Sequence, residues 1–152
     1  MPPDGEEDRF PPPLLEPVPE DSPEPRGAFA EMREWFETPR VPNVFRVYAR
    51  RYREMLGYWG YWKAVFADRH LDRLTKEMVG YAAAVSVKST YGIPFFTHLL
   101  RRRGVDDSTL LEIMTVVRHF NGITKLADLL QLESELTNAE IRDTTALSDA
   151  RA

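Results

Sequence analysis

The chain has 152 residues, a formal net charge of −4 and no cysteine. A single core of this size buries on the order of two thirds of the unfolded surface, so neither disulfides nor a structural metal are needed, and no side chain can do thiol chemistry. There is no run of about 18 apolar residues and no basic-then-apolar export pattern, so no membrane association is expected and the expected location is cytoplasmic.

Residues 1–26 carry nine of the twelve prolines and eight acidic residues against Arg9 and Arg26, about −6, which leaves the remainder near +2. Such a stretch buries too little apolar surface to offset its ordering entropy, so it is expected to be a disordered, solubilising arm. Phe10-Pro11-Pro12-Pro13-Leu14-Leu15 also has the form of a polyproline II ligand for an aromatic groove.

From residue 27 to 133 the apolar spacing is helical and nothing alternates at period two, which predicts an all-α bundle. A first helix spans Ala28 to Phe36 and stops before Pro39. From Asn43 a long helix sets Val44, Tyr48, Tyr52, Met55, Trp59, Trp62 and Phe66 on one stripe. In the run 58–62 this spacing buries Trp59 with Trp62 and leaves Tyr58 and Tyr61 for a subunit contact or an apolar pocket wall. The next helix, 71–87, is nearly apolar on all sides after Glu77, as suits a helix inside a bundle. Pro94 is tolerated only near a helix start, so the following helix begins near Gly92, with Ser89–Gly92 a loop and Gly92 free for positive φ. It closes on Arg101-Arg102-Arg103 before Gly104. A fourth starts behind Asp106 or Asp107, and a fifth follows Asn121-Gly122 with Ile123, Leu126, Ala127 and Leu130. Residues 134–152 form a polar tail in which Leu136 and Ile141 could extend a short helix.

Between Glu77 and Leu130 the spacing resembles the alkyl hydroperoxidase D and carboxymuconolactone decarboxylase group. Thiol-bearing members have a Glu, twelve residues later a Cys-x-(Tyr/His)-Cys pair, a His four residues on, and a Gly-Val turn after eight more. In this sequence those places are taken by Glu77, Ser89 and Gly92, with Tyr91 between them, then Phe96 and Gly104-Val105. Val41-Pro42-Asn43-Val44-Phe45-Arg46 is similar to a lead-in segment of peroxidase-related members. The resemblance implies an AhpD-like bundle that assembles as a dimer, trimer or hexamer. It also implies that the family's thiol cycle is lost, because a serine hydroxyl cannot pass through a sulfenic acid and a disulfide and Phe96 carries no proton.

The residues that could still carry chemistry are Glu77, Tyr91, Ser89, His98 and His119. A partly desolvated Glu77 would suit general acid or base work; the same residue could be a first-turn acid or the partner of an arginine. Tyr91 could donate into a pocket or be a core aromatic. His98 lies two positions past the family's His, about 200° around a helix, and returns to that face only if Pro94 shifts the register. His119 would close the fourth helix, where its charge suits the dipole. No metal-ligand spacing is present and no cofactor is implied. Arg50, Arg51, Arg53 and Arg101–Arg103 read as a solvated basic face and not a nucleic-acid surface.

Three functions remain open on this reading. A non-redox enzyme of lyase or isomerase type, acting on a small organic molecule in an apolar pocket, comes first. A pseudoenzyme serving as an oligomeric ligand- or partner-binding module comes second, and a peroxidase using an external thiol third.

Overall fold

The computed structural model describes residues 13–142, and every regular element among them is helical. The helices are α1 (Arg26–Phe36), α2 (Asn43–Tyr48), α3 (Tyr52–Phe66), α4 (Arg73–Ser86), α5 (Gly92–Arg102), α6 (Asp107–Leu129) and α7 (Asn138–Arg142), with one 3₁₀ turn, Ala49–Arg51, between α2 and α3.

Local chemistry sets the helix ends. The carboxylates of Asp72 and Asp106 accept the backbone N–H groups of Thr75 at 2.6 Å and Thr109 at 2.8 Å, capping α4 and α6. Four C-termini close in the same way: a left-handed residue donates three positions back while its successor donates five back. Those residues are Glu37, Lys88, Gly104 and Gln131, so three of the turns hold a side chain where glycine would sit without strain.

Two hydrophobic clusters form the core. One joins Phe29, Met32 and Phe36 of α1 to Phe45, Met55, Trp59 and Leu99; the other joins Tyr81, Leu100 and Leu110. Phe96 packs against both and makes the core continuous. Glu31 ties α1 to α3 by accepting from Trp59 Nε1 at 3.0 Å and Lys63 Nζ at 2.6 Å.

Four features differ from the sequence-based expectations. The helix expected from Asn43 to Phe66 is interrupted at Ala49–Arg51, because the buried positions are Phe45 and Ala49 and then Met55 and Trp59. Six residues separate Ala49 from Met55, a spacing that an unbroken helix cannot hold on one face, and the 3₁₀ turn absorbs the slip. Val44 and Tyr48 are consequently exposed. The fourth and fifth helices are one, because Gly122 in mid-helix costs only about 1 kcal/mol and does not stop α6. Gly92 is helical without positive φ; what restricts it is space, since a Cβ there would lie 2.9 Å from Ser89 Oγ and 3.0 Å from Ala84 Cβ.

The arm is the fourth difference. Residues 16–20 lie along the body, where Val18 exchanges backbone hydrogen bonds with its surroundings: its N–H donates to Arg46 O at 3.1 Å and its carbonyl accepts from Arg46 Nε at 3.0 Å. Arg50 donates twice to Glu16 O, and Glu20 accepts from Arg33 at 2.9 Å and from the Val41 N–H at 3.0 Å. Extended, proline-rich backbone leaves its carbonyls free, and the arginines of α2 and the 3₁₀ turn take them. Residues 10–12, half of the Phe10–Leu15 motif, lie outside the described residues. At the other end, Thr137 and Glu140 form a reciprocal capping box on α7.

Candidate functional site

α4 and α5 run antiparallel, and three pairs of positions mark their alignment. Gly92 faces Ala84, Phe96 covers Gly80, and Arg103 reaches Glu77. The candidate residues are therefore spread along the helix pair. Nine residues of α4, about 14 Å of helix, separate Glu77 from Ser86 before the turn to Ser89 begins.

Glu77 is 1% exposed. Its Oε1 accepts from Arg73 Nε at 2.8 Å and its Oε2 from Arg103 Nε at 2.5 Å. Arg73 also donates to Trp35 O at 2.7 Å and lies 4.3 Å from the centre of the Trp35 ring, so its plane is fixed from two further directions. Arg103 reaches Glu37 Oε1 at 3.6 Å, and its hydrogen bond to Glu77 raises its already high pKa. Each carboxylate oxygen thus faces a guanidinium, an arrangement that fixes the side chain in one orientation.

One turn along α4 from Glu77, at Gly80, stands a ring. A Cβ built on Gly80 would lie 2.5 Å from Phe96 Cζ, so the phenyl group rests directly on the α4 backbone. It stacks with Trp62 at 6.4 Å and meets Phe66 at 6.1 Å and Phe95 at 5.3 Å. The Gly80 position, between Glu77 and the end of α4, is therefore covered by an aromatic cluster.

Ser89 Oγ accepts the Gly92 N–H at 2.8 Å, and Ser89 O accepts the Ile93 N–H at 3.1 Å. The hydroxyl thereby caps the first turn of α5. Pro94 falls just inside that turn, where its missing N–H is tolerated, and the regular helix starts at Gly92. Tyr91 points elsewhere, to an apolar cleft of about 540 Å³ walled by Val44, Val47 and Tyr48 with Arg50 and Arg51 at its edge. Burial pushes its phenol up, and the Val44 backbone offsets part of that rise. His98 is exposed on the outer side of α5, as its spacing predicts. His119 is exposed in the middle of α6, so the expected dipole partner at a helix end is absent. Glu77, Ser89, Tyr91, His98 and His119 do not converge on one cavity.

Arg103 is the partner that sequence reasoning missed, being 26 positions from Glu77; Arg73 could be read from its i,i+4 spacing. Among the described residues no three His, Asp or Glu side chains are grouped to hold a metal, and no helix is long and apolar enough to cross a membrane.

The model of the family described as "Carboxymuconolactone decarboxylase family" matches residues 53–134. The chain belongs to the carboxymuconolactone decarboxylase family. That match begins within α3, well upstream of Glu77, and covers the whole α4–α5 pair. Among solved structures, the alkylhydroperoxidase AhpD core from Rhodospirillum rubrum is similar, with a TM-score of 0.74 and 20% identity over 86% of this chain and 98% of that one. At that identity the likeness concerns the fold, and the helical body of this carboxymuconolactone decarboxylase family member is AhpD-like. No curated protein matches the chain. Within the family fold, this member contains no cysteine and so has no thiol of its own for a peroxidase cycle.

Proposed function

We propose that this chain is a non-catalytic member of its family, a homo-oligomeric binding module built on the family bundle. The observation that carries the reading is Glu77, 1% exposed, held between Arg73 and Arg103. A general acid or base must reach its substrate and change protonation during turnover; this carboxylate is enclosed and doubly paired. Ser89 has its hydroxyl committed to a helix cap, and neither exposed histidine adjoins Glu77.

The self-association half of the reading rests on α6. Ile113, Val116, Phe120, Ile123, Ala127 and Leu130 follow one another at alternating steps of three and four, the seam spacing of paired helices. Val116, Phe120 and Ile123 are 64%, 68% and 49% exposed. With Leu126 and Leu130 they offer on the order of 500 Å² of apolar surface, a large part of the ~800 Å² per partner in a standard interface. Soluble monomers rarely leave a contiguous patch of that size open, and a second copy of α6 presents the matching stripe.

The test combines turnover with assembly. No carbon dioxide release from carboxymuconolactone and no peroxide consumption with or without an added dithiol are expected, alongside sedimentation as an oligomer that Phe120→Glu dissociates. Turnover that is lost in Glu77→Gln while the helical spectrum stays intact would overturn the non-catalytic half, and a monomeric wild type would overturn the other. A second reading, a non-redox enzyme acting on a small organic molecule, is favoured by one observation: Tyr91, its phenol raised by burial, borders the apolar cleft. In that case Tyr91→Phe would abolish a turnover to which Glu77 is indifferent.

A further inference from the structure

A second cleft, of about 350 Å³, lies between the C-terminal end of α4 and the middle of α6. Val85, Met114 and Val117 give it apolar walls, and Lys88, Arg118 and Lys125 bring three cations to it. No acidic side chain lines it, although the chain as a whole is negatively charged. Among the described residues none of the three cations makes an ion pair, whereas Arg33, Arg51, Lys63, Arg73, Arg101 and Arg103 all do.

The placement has a structural basis. Arg118, Asn121 and Lys125 recur at steps of three and four and so share one face of α6, opposite the end of α4. Lys88 comes from that end, in a left-handed turn that holds its backbone in one conformation. Ser86 Oγ donates to Asn121 Oδ1 at 3.4 Å, which leaves the Asn121 amide N–H groups for another acceptor. Like charges gathered without a counter-ion repel one another, and an anion in their midst removes that cost.

We propose that this cleft binds a small amphipathic anion, a phosphate or carboxylate carried on an apolar body about the size of one aromatic ring. The cations and the Asn121 amide receive the charged group, and Val85, Met114 and Val117 receive the body. The proposal goes beyond the non-catalytic reading and does not depend on it. Arg118 and Lys125 each lie two residues past a seam position of α6, about 200° around the helix, so self-association leaves the cleft open.

Phenyl phosphate titrated into the full chain, followed by calorimetry and by the amide resonances of Lys88, Asn121 and Gly122, tests it. Saturable binding is expected, with the largest shifts at those three amides and an affinity that falls as salt is added. Arg118→Glu with Lys125→Glu is expected to weaken binding at least about tenfold. Lys88→Gly, which removes a cation and suits the left-handed turn, is expected to weaken binding without loss of thermal stability. Binding that survives the double reversal, shifts centred elsewhere, equal affinity for benzyl alcohol, or no saturation at all would each overturn the proposal.

Discussion

Glu77 shows how a buried carboxylate is satisfied inside a small helical bundle. Two guanidiniums satisfy it, and both are anchored again by Trp35, Glu37 or an aromatic face. Removing one member of such a group strands buried charge, so Glu77→Gln is expected to lower unfolding free energy by about 3 kcal/mol, read from urea denaturation of the mutant against wild type. A catalytic carboxylate exposed in a cleft would lose activity with little change in that midpoint. Phe96 and Gly80 form the other decisive pair. Gly80→Ala drives a methyl into the ring and is expected to cost about 1–3 kcal/mol, and Phe96→Leu in the same chain should return part of it. The measurement is a double-mutant cycle on thermal unfolding, in which additivity would show that the ring can move aside. Glu77 was legible as a kept position of the pattern and Phe96 as a departure from it, whereas Arg103 was not, since nothing in local spacing brings position 103 to position 77.

Single elements were read best where a short-range rule governs them. The acid before α6, Gly104 after α5 and Pro94 at its start act within one turn, and each marks a boundary that the sequence announces. Where the deciding contact is remote, local reading falls short: the break at Ala49–Arg51 serves the joint burial of Phe45 and Trp59, and α6 runs through Asn121-Gly122 because neither residue forbids a helix. The caps also set the response to acid. Backbone N–H donors hold the Asp72 and Asp106 carboxyls below their ordinary values, and hydrogen bonds from Lys63 and Trp59 do the same for Glu31. With folded values below unfolded ones, these groups stabilise the protein above the usual carboxylate range near about pH 4, and the contribution fades as pH falls through the lowered values. Thermal midpoints should therefore drop in acid, and Asp72→Asn with Asp106→Asn should flatten that drop.

For the whole molecule, the docked arm alters what composition alone suggests. Proline and acid content over residues 1–26 says that the segment cannot build a core of its own; it does not say whether a core made elsewhere can recruit part of it. Glu20, Val18 and Glu16 meet Arg33, Arg46 and Arg50 across gaps of 13 to 34 positions, distances over which pattern reading has no reach. Deleting residues 1–21 is accordingly expected to lower the thermal midpoint by several degrees, about 1–2 kcal/mol, through the loss of these hydrogen bonds. An unchanged midpoint in calorimetry would mean that the contacts are too solvent-screened to matter.

The tight fit around Gly92 closes the shortest route back to sulfur. Adding even one carbon there crowds Ser89 Oγ and Ala84 Cβ, so a thiol could arrive only after Ser89 released the amide it caps. A thiol at 89 alone would face no resolving partner, and Phe96 would offer it no proton. A thiol cycle at these positions would take several coordinated replacements, and the first of them meets the filled space at Gly92.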